Sequence, residues 1–498
     1  MKKQSLWQAT AQPKDFAALK GKVEVDVLIV GGGITGITTA YLLKKAGLKV
    51  AVVDQQAIGG GETSHTTAHV TFVTDARLSE LAKKLGKSAA QALWDAGGTA
   101  MRQIEQIVEE LKIDCELKRA PGYLFAALGK DADKEMKSLR EDAELAEEFG
   151  FDAALLQHDP VFERPAIRFP NQLKFHPLKY LQGVGKTLPG NGSYVFGNTC
   201  GSEIDAEKHE LKTKEGSIGY RFLVSATHTP IQGERGTIGA ALFQTKLAAY
   251  SSYAIEAAIH CVPESMFWDT NDPYLYFRFD RREDGCSVII GGEDHKTGQE
   301  TDTEACYGRL EKFLKTHFPS ARSHHRWSGQ VLETPDGLPY IGRVGEKQYV
   351  ATGFSGNGIT LGTFSAMLIR DLITDQKNAT ADLFDPSRKA FHGAWEYLRE
   401  NKDFPLHLIK DHLKPVEKEQ DLHRSSGAIL RIGGKKRAVY CDSHGKRTIL
   451  SPICPHMGCV VDWNPAEKTW DCPCHGSRFG PTGELIAGPA ESPLETAS

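Results

Sequence analysis

The chain has 498 residues, of which 40% are hydrophobic and 25% are charged, as is typical of a soluble protein of about three domain-sized units. The formal net charge of −4 gives no indication of binding to nucleic acid or to an anionic membrane. Residues 1–21 lack the apolar region of a secretory signal, and no run of about 20 apolar residues predicts an integral membrane segment, so we expect a cytoplasmic protein.

The first predicted element is a strand over residues 23–30, which becomes continuously apolar toward its end. A glycine-rich turn, a helix from Ile34 to Ala46 and a second strand from Lys49 to Val53 follow. This order predicts a β–α–β unit of a buried parallel sheet.

The turn of this unit carries Gly31, Gly33 and Gly36 in the pattern G-x-G-x-x-G. The first glycine permits a tight turn, the second lets the backbone approach a pyrophosphate, and the third lets the helix pack on the strand. Asp54 closes the next strand and can accept hydrogen bonds from a ribose. The pattern predicts a dinucleotide site, and it leaves the choice between FAD and NAD open.

Further along the chain, helical patterns cover residues 78–112 and 131–149, and a core helix is predicted over 237–259. Residues 273–290 predict a hairpin. Residues 330–362 read as strand, turn, strand, glycine-rich turn and helix. A charged segment with two prolines, residues 401–420, is predicted to be a linker.

The segment Thr334–Gly342, followed by Ala351–Ile359, resembles the D-amino-acid oxidase-like family of FAD enzymes, which includes glycine, sarcosine and dimethylglycine oxidoreductases. The resemblance implies FAD as the cofactor. It also implies that Gly353, Gly356 and Gly358 begin a helix near the flavin ring, where the helix N-terminus would stabilise negative charge on reduced flavin.

The loop Gly59–His69 is similar to the family's stretch along the pyrophosphate and the flavin, which implies cofactor contacts for Thr63 and Ser64. In the dimethylglycine dehydrogenase branch a histidine in a similar context carries a covalent flavin bond, and His65 falls near that position. The alternative is that His65 only lines the site. Release of all the yellow colour on acid precipitation would exclude the covalent bond.

A cysteine and histidine cluster near the C-terminus reads C-x-H, fifteen residues, then C-x-x-H. Two thiolates suit one iron and two imidazoles suit the other, whereas a zinc site is the alternative. Together with the surrounding Cys-Pro-Cys-His-Gly-Ser, the pattern closely resembles the Rieske family. The resemblance implies a [2Fe-2S] cluster with four ligands: Cys454, His456, Cys472 and His475.

The Rieske resemblance also implies a disulfide between Cys459 and Cys474. Ser477 matches a serine that bonds a bridging sulfide in high-potential members, whereas Phe479 stands where that branch often has a tyrosine. Because a hydrogen bond to sulfur is lost there, we expect a potential below that of the high-potential respiratory members, to be checked by redox titration.

Five other cysteines are isolated, and we expect them to be free thiols: Cys115, Cys200, Cys261, Cys286 and Cys306. The histidine pairs elsewhere lack a carboxylate partner at facial-triad spacing, which argues against a Rieske oxygenase.

The predicted fold is a Rossmann-type α/β FAD-binding domain with an interleaved α+β substrate domain, plus a small all-β Rieske domain. The oxidoreductase is predicted over residues 1–400, and the Rieske domain over 421–498. Within the oxidoreductase, the FAD-binding parts are predicted at about 22–80, 150–230 and 330–400, and the substrate domain at about 81–149 and 231–329.

The family resemblance implies that the enzyme dehydrogenates a small amine or amino acid at FAD and passes single electrons through the cluster to an acceptor protein or quinone. Tyr276 and Arg278 share one face of a predicted strand, and with His65 they are the candidate catalytic residues. Arg278 could clamp a substrate carboxylate, or it could form an ordinary salt bridge. Two other functions stay open: an oxidase that uses O2, and a module that passes electrons between proteins or senses redox state.

Overall fold

The computed structural model describes residues 1–11, 15–230, 243–282, 285–388 and 422–497. The predicted linker at 401–420 lies outside the described residues. Among the helices of the described ranges, none combines the length and apolar character needed to cross a membrane.

The strands of the described residues are numbered here in chain order. They are β1 (Lys2–Lys3), β2 (Gly21–Val30), β3 (Val50–Val53), β4 (His69–Val70), β5 (Lys118–Phe125), β6 (Ala154–Leu156), β7 (Ala166–Lys174), β8 (Tyr194–Phe196), β9 (Gly201–Asp205), β10 (Glu210–Thr213), β11 (Gly216–Ser225), β12 (Ala248–Ile259), β13 (Ser265–Asp269), β14 (Tyr276–Arg282), β15 (Gly285–Lys296), β16 (Arg322–Glu333), β17 (Tyr340–Gly345), β18 (Gln348–Thr352), β19 (Ser426–Ile432), β20 (Lys435–Cys441), β21 (Arg447–Leu450), β22 (Asp462–Asn464), β23 (Thr469–Asp471), β24 (Arg478–Phe479) and β25 (Leu485–Ala487).

The helices lie between these strands. The α-helices are Leu6–Thr10, Ile34–Lys45, Leu78–Leu85, Lys87–Leu111, Ala132–Glu148, Pro177–Gly185, Thr303–His317, Gly358–Ile373 and Ala381–Phe384, and the 3-10 turns are Glu62–Ser64 and Ser355–Asn357.

The first sheet has the parallel order β18-β11-β2-β3-β8, and β17 joins its edge antiparallel to β18. Val27, Leu28 and Ile29 on β2 are fully buried, as a continuous apolar run predicts. Val27 and Ile29 share a core with the helix Ile34–Lys45, and Leu28 shares one with Leu211 of β10. The predicted β–α–β unit is confirmed, and its glycine turn opens at the carboxyl end of β2.

The second sheet contains ten strands of the described residues, ordered β1-β16-β12-β15-β14-β13-β5-β7-β4, with β6 paired to β7. The predicted core helix over 237–259 is wrong for its described part, since Ala248–Ile259 forms strand β12. Alanine and glutamate favour a helix intrinsically, but β15 and β16 pair with both edges of this segment. Tertiary pairing therefore overrides local propensity.

Two other predicted segments are divided. The helical pattern over 78–112 forms two helices, because Gly86 adopts φ +85° between them. The predicted FAD-binding segment 150–230 contributes β7 to the ten-stranded sheet and β8 to β11 to the parallel sheet. The predicted hairpin at 273–290 is confirmed by β14 and β15.

The C-terminal region contains two small antiparallel sheets, β19-β20-β21 and β22-β23-β24-β25. Loops that follow β21 and β23 carry the cysteine and histidine cluster. The predicted architecture, a Rossmann-type domain with an interleaved α+β domain and an all-β C-terminal domain, is confirmed.

Candidate active site and metal centre

The glycine turn brings backbone segments unusually close together. Gly31 adopts φ +109°, and a Cβ there would lie 2.2 Å from the Ala226 carbonyl oxygen. A Cβ on Gly36 would lie 1.8 Å from the Gly31 carbonyl oxygen. Gly33 lines a large cavity and caps the following helix at Ile34. The chain thus presents a helix N-terminus with a bare backbone, which fits a pyrophosphate.

Asp54 lies beside this turn at the end of β3. Its two carboxylate oxygens accept hydrogen bonds from the backbone amides of Gly32, at 2.7 Å, and Gln56, at 2.8 Å. Burial raises the pKa of Asp54 above its ordinary value, and the two amide bonds oppose this effect. The carboxylate lines the cavity, where a ribose of FAD could donate to it.

The glycine turn, residues 31–36, is called the glycine cradle below. The loop Gly59–His69 runs along the same cavity. Thr63 Oγ1 accepts from the Ile34 amide at 3.1 Å, and the Ser64 hydroxyl donates to the Gly61 carbonyl at 2.9 Å. His65 lines the cavity, with Nδ1 3.2 Å from the Gly61 carbonyl oxygen. Ser64 Oγ lies 3.4 Å from the same ring nitrogen. The covalent flavin bond at His65 stays a prediction.

The second glycine-rich segment begins a helix at the cavity edge. Gly353 adopts φ +76°, and the helix Gly358–Ile373 follows a 3-10 turn whose residues also line the cavity. The Gly356 amide donates to Asp75 Oδ2 at 2.6 Å. A second helix N-terminus therefore faces the space that the first one opens.

One cavity of about 1970 Å³ connects these features. Ligand pockets for a single small molecule are usually about 300–1,000 Å³, so the cavity has room for FAD together with a substrate. Its wall includes Gly31, Asp54 and Thr63 from the cradle and Trp268, Tyr276 and Asp294 from the ten-stranded sheet.

A chain of hydroxyl groups ends at a carboxylate in the sheet wall. The Tyr276 hydroxyl lies 2.8 Å from Ser252 Oγ, which donates to Asp294 Oδ1 at 2.5 Å. Burial raises the pKa of Asp294 to about 7, and the Asp75 carboxylate adds to this effect. Asp294 can therefore hold or release a proton near neutral pH.

Two further groups complete this wall. The Tyr274 hydroxyl donates to Asp75 Oδ1 at 2.8 Å. His69 donates from Nε2 to the Phe277 carbonyl at 3.0 Å, and burial lowers its pKa to about 4. The His69 ring is therefore neutral at pH 7.

The structure does not bring Arg278 into the cavity with Tyr276. The Arg278 side chain is 3% exposed, bonds Asp280 at 3.0 Å and donates to three backbone carbonyls. Its guanidinium also lies over the Trp7 ring, 4.9 Å from the centroid. This geometry does not support the predicted carboxylate clamp, because the Arg278 contacts are structural.

Sequence reasoning missed Asp75, Ser252, Asp294 and Gln330 as candidate site residues. Asp294 lies beyond the predicted hairpin at 273–290, on the continuation of β15, where strand alternation could have placed it on one face with Gly292. Asp75 and Ser252 carried no local signal, since only the tertiary fold brings them to the cavity.

The predicted metal ligands lie on two similar turns. In each turn a glycine amide donates to the carbonyl of the first ligand, Gly458 to Cys454 and Gly476 to Cys472, both at 3.0 Å. Both glycines adopt a positive φ, +80° and +73°. The repeated geometry places one Cys and one His of the motif on each turn.

The structure brings the four predicted ligands together. The His456 and His475 ring centroids lie 4.9 Å apart, and Cys454 and Cys472 are buried and share a hydrogen bond. Both His456 ring nitrogens are buried without a hydrogen-bond partner. Burial lowers the pKa of both imidazoles to about 4, so the rings are neutral at pH 7. Two thiols and two neutral imidazoles fit a Rieske cluster.

The predicted disulfide between Cys459 and Cys474 is confirmed. The sulfur atoms of Cys459, Cys472 and Cys474 all lie within 4.8 Å of one another. Because Cys459 and Cys474 are joined in the disulfide, they cannot serve as thiolate ligands. A second disulfide joins Cys261 and Cys286. The expectation that these two are free thiols is wrong, because Cys286 pairs with Ile259 in the β12–β15 ladder, which brings it beside Cys261.

Cys474, His475 and Gly476 also line the large cavity. The second ligand turn therefore contacts the same space as the glycine cradle. The first ligand turn points elsewhere: neither Cys454 nor His456 lines the cavity, and the neighbouring Ile453 and Met457 are 37% and 39% exposed.

Two family models match the chain. One, described as FAD dependent oxidoreductase, matches residues 26–372, and the other, described as Rieske [2Fe-2S] domain, matches residues 412–498.

Known proteins share parts or all of this arrangement. The putative Rieske 2Fe-2S iron-sulfur protein YhfW of Bacillus subtilis (strain 168) is 32% identical over 99% of this chain and 97% of its own length. Gamma-glutamylputrescine oxidoreductase of Escherichia coli (strain K12) is 24% identical over 72% of this chain and 85% of its own length. The crystal structure of glycine oxidase from Geobacillus kaustophilus superposes with a TM-score of 0.59 at 19% identity, covering 74% of this chain and 99% of that one.

Proposed function

The chain belongs to the family of FAD dependent oxidoreductases and carries a Rieske domain, and from this premise we propose that it dehydrogenates a small amine or amino acid. Its cofactors are FAD and a [2Fe-2S] cluster. We further propose that electrons leave singly through the cluster to an external acceptor, a protein or a quinone.

The shared cavity carries this proposal. The glycine cradle, the carboxylate-bearing sheet wall and the turn with His475 all line one space. FAD, when bound, accepts a hydride, which carries two electrons. A [2Fe-2S] cluster carries one electron at a time. A cluster ligand in the wall of the flavin cavity supports electron transfer within one chain.

The substrate class is proposed from the sheet wall and from the relatives. Two of the similar proteins, gamma-glutamylputrescine oxidoreductase and glycine oxidase, are named for substrates that are amino compounds. An amine must lose its ammonium proton before hydride transfer from the adjacent carbon. We propose that Asp294, whose pKa burial raises to about 7, accepts that proton, and that the hydrogen bonds from Tyr276 through Ser252 orient the Asp294 carboxyl group.

The acceptor side is proposed from the first ligand turn. His456 is half-buried, and the exposed apolar side chains of Ile453 and Met457 flank it. Apolar side chains around a redox centre suit transient contact with a carrier protein.

Anaerobic reduction tests the proposal. Amines, proline and N-methyl amino acids are each mixed with the FAD- and cluster-loaded protein, while flavin bleaching is followed optically and the reduced cluster by electron paramagnetic resonance (EPR). We expect one compound class to bleach the flavin and raise the cluster signal together. If dithionite reduces both centres but no compound does, the proposed substrate class is wrong. Peroxide formation in air with an oxidised cluster would favour an oxidase.

A further inference from the structure

The second ligand turn is held unusually close to the oxidoreductase sheet. A Cβ on Gly476 would lie 2.5 Å from Ala249 Cβ, and a Cβ on Gly298 would lie 2.8 Å from the Cys472 carbonyl carbon. Both glycines have a positive φ, +73° and +79°. The Gly298 backbone therefore meets the Cys472 backbone directly, whereas Gly476 packs against the Ala249 side chain of β12.

Gln330 on β16 lies at this contact. Its side chain is buried, and Nε2 donates to the Gly476 carbonyl at 2.9 Å and to Thr297 Oγ1 at 3.2 Å. Its backbone amide donates to Glu62 Oε2 at 2.7 Å. Glu62 opens the 3-10 turn that carries Thr63 and Ser64. Gln330 thus bonds the loop Gly59–His69, here called the flavin-side loop, through its backbone amide. Its side chain bonds the second ligand turn, Cys472–Gly476, here called the cluster turn.

The surrounding strand makes this connection rigid. Trp327, three residues earlier on β16, donates from Nε1 to the His65 carbonyl at 2.7 Å. Gln330 is paired with Ser251 of β12, and Ser251 Oγ lies 2.9 Å from Thr297 Oγ1. Gln330 Oε1 is buried without a hydrogen-bond partner among the described residues, so Nε2 makes the side-chain contacts that join β16 to the cluster turn.

We propose that Gln330 is a positioning residue that fixes the cluster turn against the flavin-side loop and thereby sets the rate of electron transfer between the two centres. In each transfer the reduced flavin loses one electron and one ferric iron of the cluster becomes ferrous. This inference rests on the proposed function for its biological use, but the contact can be tested without any substrate.

Two variants remove the donor from Gln330. Gln330→Glu keeps the shape and replaces the amide with an accepting carboxylate, and Gln330→Leu removes both polar atoms. Tyr307→Phe is the matched control. It deletes the 2.9 Å hydrogen bond from Tyr307 to Glu467, which also joins the oxidoreductase part to the C-terminal domain but does not involve the cluster turn. Flavin and iron content are measured first, so that only loaded protein is compared.

Laser-flash photoreduction with deazaflavin delivers electrons without an amine. The first-order phase in which flavin is reoxidised and the cluster reduced is then followed, together with the EPR g values of the reduced cluster. Both Gln330 variants are expected to slow this phase about 10–100-fold, which is typical of lost outer-sphere contacts at metal sites, and to shift the g values. Tyr307→Phe is expected to change neither.

Wild-type rates and g values in both Gln330 variants would overturn the inference, as would an equal slowing in Tyr307→Phe. If no amine reduces the flavin but the flash experiment separates the variants as expected, the proposed substrate class fails and the role of Gln330 stands.

Discussion

The two histidines of the cluster motif have opposite surroundings. His475 is 8% exposed and lies in the wall of the cavity that contains the glycine cradle. His456 is half-buried and lies between Ile453 and Met457, which together with Met1 are the exposed large hydrophobic side chains of the described residues. The cluster therefore has an inner side toward the flavin and an outer side toward solvent.

In the proposed function, the small C-terminal domain uses these two sides for two different partners. The inner side is fixed by contacts within the chain: the close backbone approach at Gly298, the packing of Gly476, and the Gln330 side-chain hydrogen bond. The outer side carries exposed apolar side chains, which suit a partner that binds and leaves. The inner side therefore suits electron entry, and the outer side suits electron exit.

The largest expected effect comes from removing the cluster. Cys472→Ser should abolish the reduced-cluster EPR signal and bound iron while FAD absorbance is kept, because the cradle lies on other elements. Substrate should still bleach the flavin, but a protein acceptor should no longer be reduced. Cys441→Ser, at a buried cysteine of the same region outside the ligand set, should retain the iron and the signal. Retention of the cluster signal in Cys472→Ser would contradict the ligand assignment.

The next largest effect concerns the inner cavity. Asp294→Asn should lower kcat/KM for the amine about 100-fold, within the range for loss of a general base. The pKa of Asp294 is raised by burial to about 7, and only the ionised form accepts a proton. Wild-type kcat/KM should therefore rise with pH through about 7.

Asp294→Asn should lose that rising limb, measured by steady-state kinetics from acid to neutral pH. Asp75, Tyr274 and Tyr276 face the same group, and they remain in the variant. Glu293→Gln is the control: it keeps the proposed proton acceptor and removes a nearby negative charge that raises the pKa of Asp294, so the rising limb should persist and move to lower pH. An unchanged pH profile in Asp294→Asn would exclude the proposed proton acceptor.

The outer side should give a smaller and more selective effect. Met457→Lys should lower kcat/KM for a protein acceptor about tenfold, since an unpaired charge in an apolar contact costs about 1.4 kcal/mol or more. Flavin-to-cluster transfer should be unchanged. Ser443→Lys, in the turn between β20 and β21, adds the same charge and should have no effect. An equal loss of kcat/KM in both variants would show that the added net charge causes the effect, and would contradict a docking surface at Met457.

The smallest effect concerns the cluster potential. Phe479 is fully buried on β24 and has no hydrogen-bond donor on its side chain. If the hydroxyl of Phe479→Tyr reaches a cysteine sulfur, the potential should rise by about 40 mV, because a net hydrogen bond contributes about 1 kcal/mol and about 59 mV corresponds to 1.4 kcal/mol in a one-electron couple. Redox titration followed by EPR checks this. A lower potential in the variant would contradict it.

The cofactor regions could be predicted from the sequence because their signals are local. Gly31, Gly33 and Gly36 lie within six residues, and each ligand turn lies within a short stretch. In such turns the backbone requires glycine, or the metal requires a ligand, at fixed positions along the chain. The pattern can therefore be recognised without knowledge of the fold. The Cys459–Cys474 disulfide followed from the family resemblance.

The residues of the sheet wall of the cavity could not be predicted from local patterns. Strand alternation correctly gave β14, but position along the strand decides that Tyr276 meets the cavity and that Arg278 meets Asp280 and Trp7. The misassigned strand β12 contributes Ser252, and its pairing with β15 brings Cys261 beside Cys286. These features depend on pairings between distant segments, which residue patterns do not contain.

The most direct test of the account is freeze-quench EPR after anaerobic mixing with the amine that bleaches the flavin. The rate at which the cluster signal grows is measured over a wide range of protein concentrations. The account predicts first-order growth that follows flavin bleaching at a rate independent of protein concentration, because both centres border one cavity in one chain. Growth that scales with protein concentration, or flavin bleaching without cluster reduction, would contradict it.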